Sequence, residues 1–172
     1  MLLSWLRPRR APNRPASRRL GLESLDERIV PANAHFVSAT SSITSAGALV
    51  ASFKEAGLGD TVQVNYELTA NASATYVYVN NGGNLPQSPQ FTTVAGPVDV
   101  TGTFTSGKNG QITASLTAQP PPAPQSFIDA APNGLHVAVF SVSYTTVTIT
   151  DTTNSVSASL ADVAIVLIQS KH

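Results

Sequence analysis

From residue 35 onward, apolar and polar residues alternate with a period of two, and no other feature constrains the fold as strongly. In the segment 61–69, every second residue is Val, Tyr or Leu, and the residues between them are polar. Successive side chains of a strand point to opposite faces, so this pattern predicts a half-buried strand. The segments 98–105 and 112–118 alternate in the same way. Gly102 takes an inward position of the first, which predicts a bulge or a close approach of the backbone.

The sequence SGKNG, residues 106–110, separates two of these segments. Its Asn-Gly pair supplies the positive φ angles that a hairpin loop requires. We therefore predict an antiparallel hairpin in which 98–105 pairs with 112–118. Further β-branched and aromatic runs predict strands at 35–43, 47–54, 74–80, 135–150 (with a bend or split near 141–145) and 155–168.

About eight short strands with turn signals between them indicate an all-β protein. We expect a single antiparallel β-sandwich, immunoglobulin-like or jelly-roll-like, over residues 35–170. The segment AQPPPAPQ, residues 118–125, cannot continue a ladder of backbone hydrogen bonds, and its composition favours polyproline II. We interpret it as a stiff crossover between the two sheets.

Composition narrows the class of protein. Only 12% of the 172 residues are charged, which is about half of the fraction that soluble domains usually carry. Together with abundant Ser, Thr, Val and Asn, this low charge is typical of extracellular β-proteins. Cysteine is absent, which excludes disulfides, zinc–thiolate sites and thiol nucleophiles. Residues 35–172 hold three lysines against seven acidic residues, a net charge of −4 that argues against nucleic acid as a partner.

Residues 1–34 differ from the rest, because seven arginines stand against three acidic residues and give a net charge of +4. We predict a basic, proline-rich and mostly disordered sorting leader, in which the spacing of Leu22, Leu25 and Ile29 is compatible with a short helix. The small residues at 32–34 fit a cleavage site of the A-x-A type. No segment reaches 18 uninterrupted apolar residues, so no transmembrane helix is predicted.

The chemistry-bearing residues form no recognisable catalytic, metal or cofactor-binding motif. His35, His136 and His172 lack the spacing of metal ligands, and the G-x-S-x-G motif of a serine hydrolase is absent. The acidic residues are scattered, and Asp60 and Asp151 stand where turns begin. We expect these carboxylates to serve turns and solubility, and we predict no catalytic residue, no bound metal and no cofactor.

The most distinctive loop is YVYVNNGGNLP, residues 76–86. Its tyrosines and asparagines are candidates for a polar, aromatic-edged surface that contacts a glycan or a peptide: Tyr76, Tyr78, Asn80, Asn81 and Asn84. The alternative is a wide hairpin or inter-sheet turn in which Asn and Gly serve only the backbone geometry.

Two resemblances accompany these features. The stretch RRLGLESLDERIVPA, residues 18–32, resembles the L-E-x-L-E-x-R-x-x-P-A leader of planctomycete surface and exported proteins, with Asp26 as a slight departure. That resemblance implies sorting to the cell envelope or beyond. Residues 53–162, with the motifs KEAGLG, VNNGGN and SGKNGQI, resemble a family of small secreted bacterial proteins of unknown function.

That second resemblance also implies a missing disulfide. Family members usually carry a cysteine just before VNNGG and another after the proline stretch, where this chain has Tyr78 and the segment FIDAAPNG, residues 127–134. We hypothesise that burial of Tyr78 together with Phe127 or Ile128 offsets the loss.

The expected function is that of an exported, non-enzymatic β-sandwich that acts in structure or binding at the cell surface or outside the cell. The sequence leaves the partner and the oligomeric state open, with an envelope component or a glycan as the candidate partners. One alternative is a carbohydrate- or calcium-binding module that uses the loop 80–90. A second alternative is a hydrolase without a recognisable motif.

Overall fold

Eight strands and one short helix follow one another in the computed structural model, which describes residues 33–168. The predicted leader, its short helix and most of its cleavage segment lie outside these described residues. The elements are β1 (His35–Ile43), β2 (Leu49–Ala56), β3 (Gln63–Asn80), β4 (Phe91–Thr105), β5 (Ile112–Ala118), α1 (Gln125–Asp129), β6 (Leu135–Asp151), β7 (Val156–Ser159) and β8 (Val163–Val166).

These strands form two antiparallel sheets that pack face to face. The three-stranded sheet has the order β1-β2-β5, and the five-stranded sheet has the order β4-β3-β6, with β7 and β8 both paired to the far edge of β6. The predicted all-β sandwich is therefore confirmed. The proline-rich segment leads from β5 in the smaller sheet to β6 in the larger one, as the interpretation of a crossover requires.

The core lies between the sheets and is built from alternate residues of each strand. β3 turns Val64, Tyr66 and Leu68 inward, and all three are at most 1% exposed. The rings of Phe53 and Tyr66 approach to 4.5 Å between centroids, and Phe104 packs edge-on against both. Burial of such apolar surface is the dominant favourable contribution to folding.

The predicted hairpin between 98–105 and 112–118 is wrong. The turn itself forms, with Gly107 accepting a hydrogen bond from Gly110 and donating one to the Gln111 carbonyl. However, β4 belongs to the five-stranded sheet and β5 to the three-stranded sheet. Both strands are amphipathic, so they bury more apolar surface facing each other across the core than side by side in one sheet.

Gly102 shows how closely β4 and β5 approach. A Cβ atom at this position would lie 2.6 Å from Cδ2 of Leu116, which is closer than side-chain contacts allow. Of the two explanations that the sequence left open for this glycine, close approach applies, since β3 and β4 pair without a register shift.

Element bounds differ from the prediction in three further places. The segments 61–69 and 74–80 are parts of one 18-residue strand, β3. β6 runs unbroken through the predicted split near 141–145, and its pairing with β3 shifts register on both sides of that stretch. The predicted last strand is divided into β7 and β8. The one helix among residues 33–168, α1, is too short to cross a membrane.

Candidate functional site

Tyr76 and Tyr78, the aromatic half of the predicted contact surface, point into the protein. They are 7% and 2% exposed, respectively. The Tyr76 hydroxyl donates a hydrogen bond to the Pro121 carbonyl at 2.5 Å, and the Tyr78 hydroxyl donates to the Phe127 carbonyl at 2.6 Å. The two tyrosines therefore attach the crossover and α1 to the sheet, and they do not form an outer surface.

The asparagines of the same loop form a wide hairpin between β3 and β4. Oδ1 of Asn80 accepts hydrogen bonds from the backbone N–H groups of Gly82 and Asn84, at 2.9 and 3.0 Å. Gly83 adopts a φ of 73°, which favours glycine. The side chain of Asn80 thus serves the backbone geometry of the loop. Asn81 lies exposed at the tip.

The histidines and serines do not assemble a nucleophile in the described part of the chain. His136 is exposed on β6 opposite Val79, and His35 is exposed at the start of β1. Among the hydrogen bonds of residues 33–168, none joins a serine hydroxyl to a histidine ring. Within the same range, no three His, Cys, Asp or Glu side chains are grouped as metal ligands.

The outer face of the five-stranded sheet presents a dense array of hydroxyl groups. We call this array the hydroxyl face, and it comprises Thr93, Thr101 and Thr103 of β4, Thr69, Ser73 and Thr75 of β3, and Ser141, Ser143, Thr148 and Thr150 of β6. Side chains on one face of a sheet repeat about every 7 Å along a strand and about 4.8 Å between strands. The hydroxyl groups therefore form a regular two-dimensional array.

Cross-strand hydrogen bonds hold part of this array in place. The hydroxyls of Thr75 and Thr93 lie 3.0 Å apart, and those of Thr150 and Ser157 lie 3.1 Å apart. These pairs keep neighbouring side chains in fixed orientations, so the hydroxyl face is preorganised.

Two neighbouring carboxyl groups, those of Glu67 on β3 and Asp99 on β4, lie on the same face. A hydrogen bond to Asp99 raises the pKa of Glu67, and the negative charge of Asp99 raises it further. Glu67 therefore takes up a proton more readily than an isolated carboxylate does.

A groove crosses the strands where the outward side chains are smallest. Ala95, Ser73, Ser143 and Ala164 lie side by side on β4, β3, β6 and β8. Three members of this row, Ser73, Ser143 and Ala164, form the floor of a shallow groove of about 310 Å³, and Val166 completes its wall on the β8 side. A second depression of about 440 Å³ continues past Ser73 toward Pro97.

An aromatic pair lies at the end of the hydroxyl face that is nearer the loop 81–90. The rings of Phe91 and Phe140 meet edge-to-face, 5.0 Å apart at 73°. Phe91 is 47% exposed and Val166 is 52% exposed. Exposed apolar groups beside a polar surface mark a candidate contact site. Period-two alternation places Phe91 on the same face as Thr93, so the outward position of Phe91 could have been predicted from the sequence.

A second cluster, which the sequence analysis missed, lies between the sheets. Glu55 of β2 and Asp151 of β6 are both 0% exposed. The hydroxyl of Tyr66 donates a hydrogen bond to Oε2 of Glu55 at 2.6 Å. Burial raises the pKa of Glu55 to about 7, and the charge of Asp151 contributes to the rise. The inward position of Glu55 could have been predicted from the sequence, because Glu55 follows Phe53 at the spacing that places both on the inward face of β2.

Comparison with known proteins adds no relative. No protein-family model matches the chain, and neither does any curated protein or solved structure. The resemblances of the leader and of residues 53–162 therefore stay predictions.

Proposed function

We propose that the protein is an exported, non-enzymatic binding domain whose hydroxyl face contacts a neutral polysaccharide. The observation that carries the proposal is the combination of a regular hydroxyl array with an exposed aromatic ring, Phe91, at its end. Export rests on the predicted leader, and the ligand class rests on the chemistry of the face.

Hydroxyl and amide groups both donate and accept hydrogen bonds, as the hydroxyl groups of a sugar do. Lysine and arginine do not occur on the outward positions of β3, β4, β6, β7 and β8, so this face offers no cation to a phosphate or a sulfate. A neutral polyhydroxylated chain therefore fits the face better than an anionic one. The aromatic edge at Phe91 adds apolar contact with the C–H groups of a sugar ring.

The groove matches an extended ligand in its dimensions. It crosses four strands, from Ala95 to Ala164, which is a span of about 14 Å at the usual spacing between strands. The part of the groove over β3, β6 and β8 has a volume of about 310 Å³, at the lower end of the range of ligand sites, and the depression of about 440 Å³ continues it over β4. A shallow, open groove of this kind accepts a segment of a long chain rather than enclosing a small molecule.

This proposal moves the contact surface away from the tyrosines of the loop. Tyr76 and Tyr78 are buried, whereas Phe91 begins β4 directly after the loop and faces outward. Asn81 lies in that same loop, so the loop contributes to the rim of the surface rather than to its centre.

The test is binding of the full chain to an array of neutral and anionic polysaccharides, with and without Ca²⁺. The variants Phe91→Ala and Ser143→Arg alter the aromatic edge and the groove floor. The matched control is Thr113→Arg, which places the same charge on the exposed outer face of the three-stranded sheet. Saturable binding to a neutral glycan that both variants abolish and the control retains would support the proposal.

Three other outcomes would overturn it. Binding that survives both variants but is lost in Asn81→Ala would assign the contact to the loop. Binding that requires Ca²⁺ would favour the calcium-dependent alternative. If no polysaccharide bound saturably, the protein would have a structural role instead.

A further inference from the structure

One oxygen of Glu55 is buried between the sheets without a hydrogen-bond partner. Glu55 is fully buried, and its Oε2 accepts a hydrogen bond from Tyr66, but its Oε1 has none. An ionised carboxylate in such a place loses its hydration without full compensation. The residue nearby on the opposite sheet is another buried carboxyl group, that of Asp151, whose charge acts on Glu55.

Asp151 accepts more hydrogen bonds than Glu55 does. Oδ1 of Asp151 accepts the backbone N–H groups of Thr153 and Asn154, at 2.8 and 2.9 Å. Its Oδ2 accepts the side-chain amide of Asn154 at 2.6 Å. Three donors thus satisfy the two oxygens of Asp151. Two adjacent buried carboxyl groups do not both ionise readily, so the one with fewer donors, Glu55, is the one that keeps the proton.

We propose that Glu55 carries a proton in the folded protein, and that this proton, directed at Asp151, joins the two sheets as a pH-sensitive clasp. The clasp connects β2 of the smaller sheet to β6 of the larger one. When the proton is lost, two buried negative charges face each other and the sheets separate more easily at this end.

The groups that shift the pKa of Glu55 come from three other strands, β1, β3 and β6, and some raise it while others lower it. Burial raises its pKa to about 7. The charge of Asp151, and the hydrogen bond that protonated Glu55 can donate to Asp151, also raise this pKa, whereas the hydrogen bond from Tyr66 and the charge of His35 lower it. Burial also raises the pKa of Tyr66, so that hydroxyl remains a donor throughout.

The sign of the pH dependence follows. The ordinary pKa of this carboxyl group is 4.5 and its folded pKa is about 7, so between these values the folded state holds a proton that the unfolded state has released. The stabilisation is fully present below pH 4.5 and is lost as the pH rises through about 7.

The experiment measures the urea midpoint of the full chain between about pH 5 and about pH 9, for the wild type and for Glu55→Gln. Glutamine keeps the shape, cannot ionise and offers Asp151 an N–H donor. We expect the wild-type midpoint to fall across this range and the variant midpoint to stay flat. Asp129→Asn, which removes an exposed carboxyl group on α1, serves as the control and should keep the wild-type slope.

Infrared spectroscopy gives a second readout that does not depend on the variant folding. We expect a carboxylic-acid C=O band in the wild type below neutral pH that disappears as the pH rises through about 7. Absence of that band, or a midpoint of Glu55→Gln that falls as steeply as the wild type, would overturn the proposal. An increase of the wild-type midpoint by Ca²⁺ alone, absent in Glu55→Gln, would mean that a cation and not a proton occupies the space.

Discussion

Tyr78 lies flat against Phe127, with ring centroids 4.2 Å apart and planes only 7° from parallel. The Tyr78 hydroxyl continues past the ring and donates to the Phe127 carbonyl. Tyr78 therefore holds α1 through two contacts. The predicted burial of Tyr78 is confirmed, whereas Phe127 is only partly buried and Ile128 is 43% exposed. That the pair replaces the disulfide implied by the resemblance of residues 53–162 stays a prediction.

Substitution of Phe127 by alanine should loosen the crossover. We expect a loss of about 2 kcal/mol in the free energy of unfolding, because the stacked ring is half-buried rather than in the deep core. Tyr78→Phe removes only the hydroxyl and should cost about 1 kcal/mol. Urea denaturation measures both. Ile128→Ala is the control, and a loss as large as that of Phe127→Ala would contradict this account.

Gly102→Ala should destabilise the sandwich, because the added methyl group meets Leu116. We expect a cost of about 1–2 kcal/mol, typical of overpacking in a core. Gly96→Ala is the matched control, since Gly96 lies on the same strand with open space around the corresponding position. The double variant Gly102→Ala, Leu116→Ala should lose less stability than the sum of the single variants. Strict additivity would show that the two residues do not interact.

The sequence predicted individual strands better than their partners. The bounds of β1 and β5 agree with the predicted 35–43 and 112–118, because alternation of apolar and polar residues is a local property. The choice between pairing β5 with β4 and pairing it with β2 depends on how both inward faces fill one core. That information is not present in the turn between β4 and β5.

The candidate sites show the same limit. The hydroxyl face follows from alternation, since outward positions of β3, β4 and β6 are polar in the sequence itself. In contrast, residues 55 and 151 are far apart along the chain, and only the packing of two sheets brings their carboxyl groups together. The local sequence around Tyr78 was ambiguous too, because aromatic residues suit both a binding surface and a core.

Tyr144 provides a second polar link between the sheets. Its buried hydroxyl donates to the Gly47 carbonyl at 2.8 Å, and burial raises its pKa to about 12. We expect Tyr144→Phe to lower the free energy of unfolding by about 1–2 kcal/mol, because the Gly47 carbonyl then loses its donor in a buried site. Thermal unfolding at neutral pH measures the effect. An unchanged transition would mean that water replaces the hydroxyl.

Thr146 has a backbone conformation that a β-branched residue rarely adopts, with a φ of 54°. It lies on β6 opposite the gap between β7 and β8, and its N–H donates to Oδ1 of Asp162 at 2.9 Å. This hydrogen bond attaches the segment between β7 and β8 to β6 at the point where strand pairing is interrupted. Backbone strain of this kind costs about 1 kcal/mol or more and persists where surrounding contacts hold it.

Glycine at position 146 should therefore stabilise the protein. We expect Thr146→Gly to raise the free energy of unfolding by about 0.5–1 kcal/mol, since relief of strain outweighs the entropy that glycine adds to the unfolded chain. Thr148→Gly, two residues further along the same strand and without a positive φ, should instead lower it by about 1 kcal/mol. Urea denaturation of the two variants provides the comparison. Equal destabilisation by both would show that Thr146 adopts its conformation without strain.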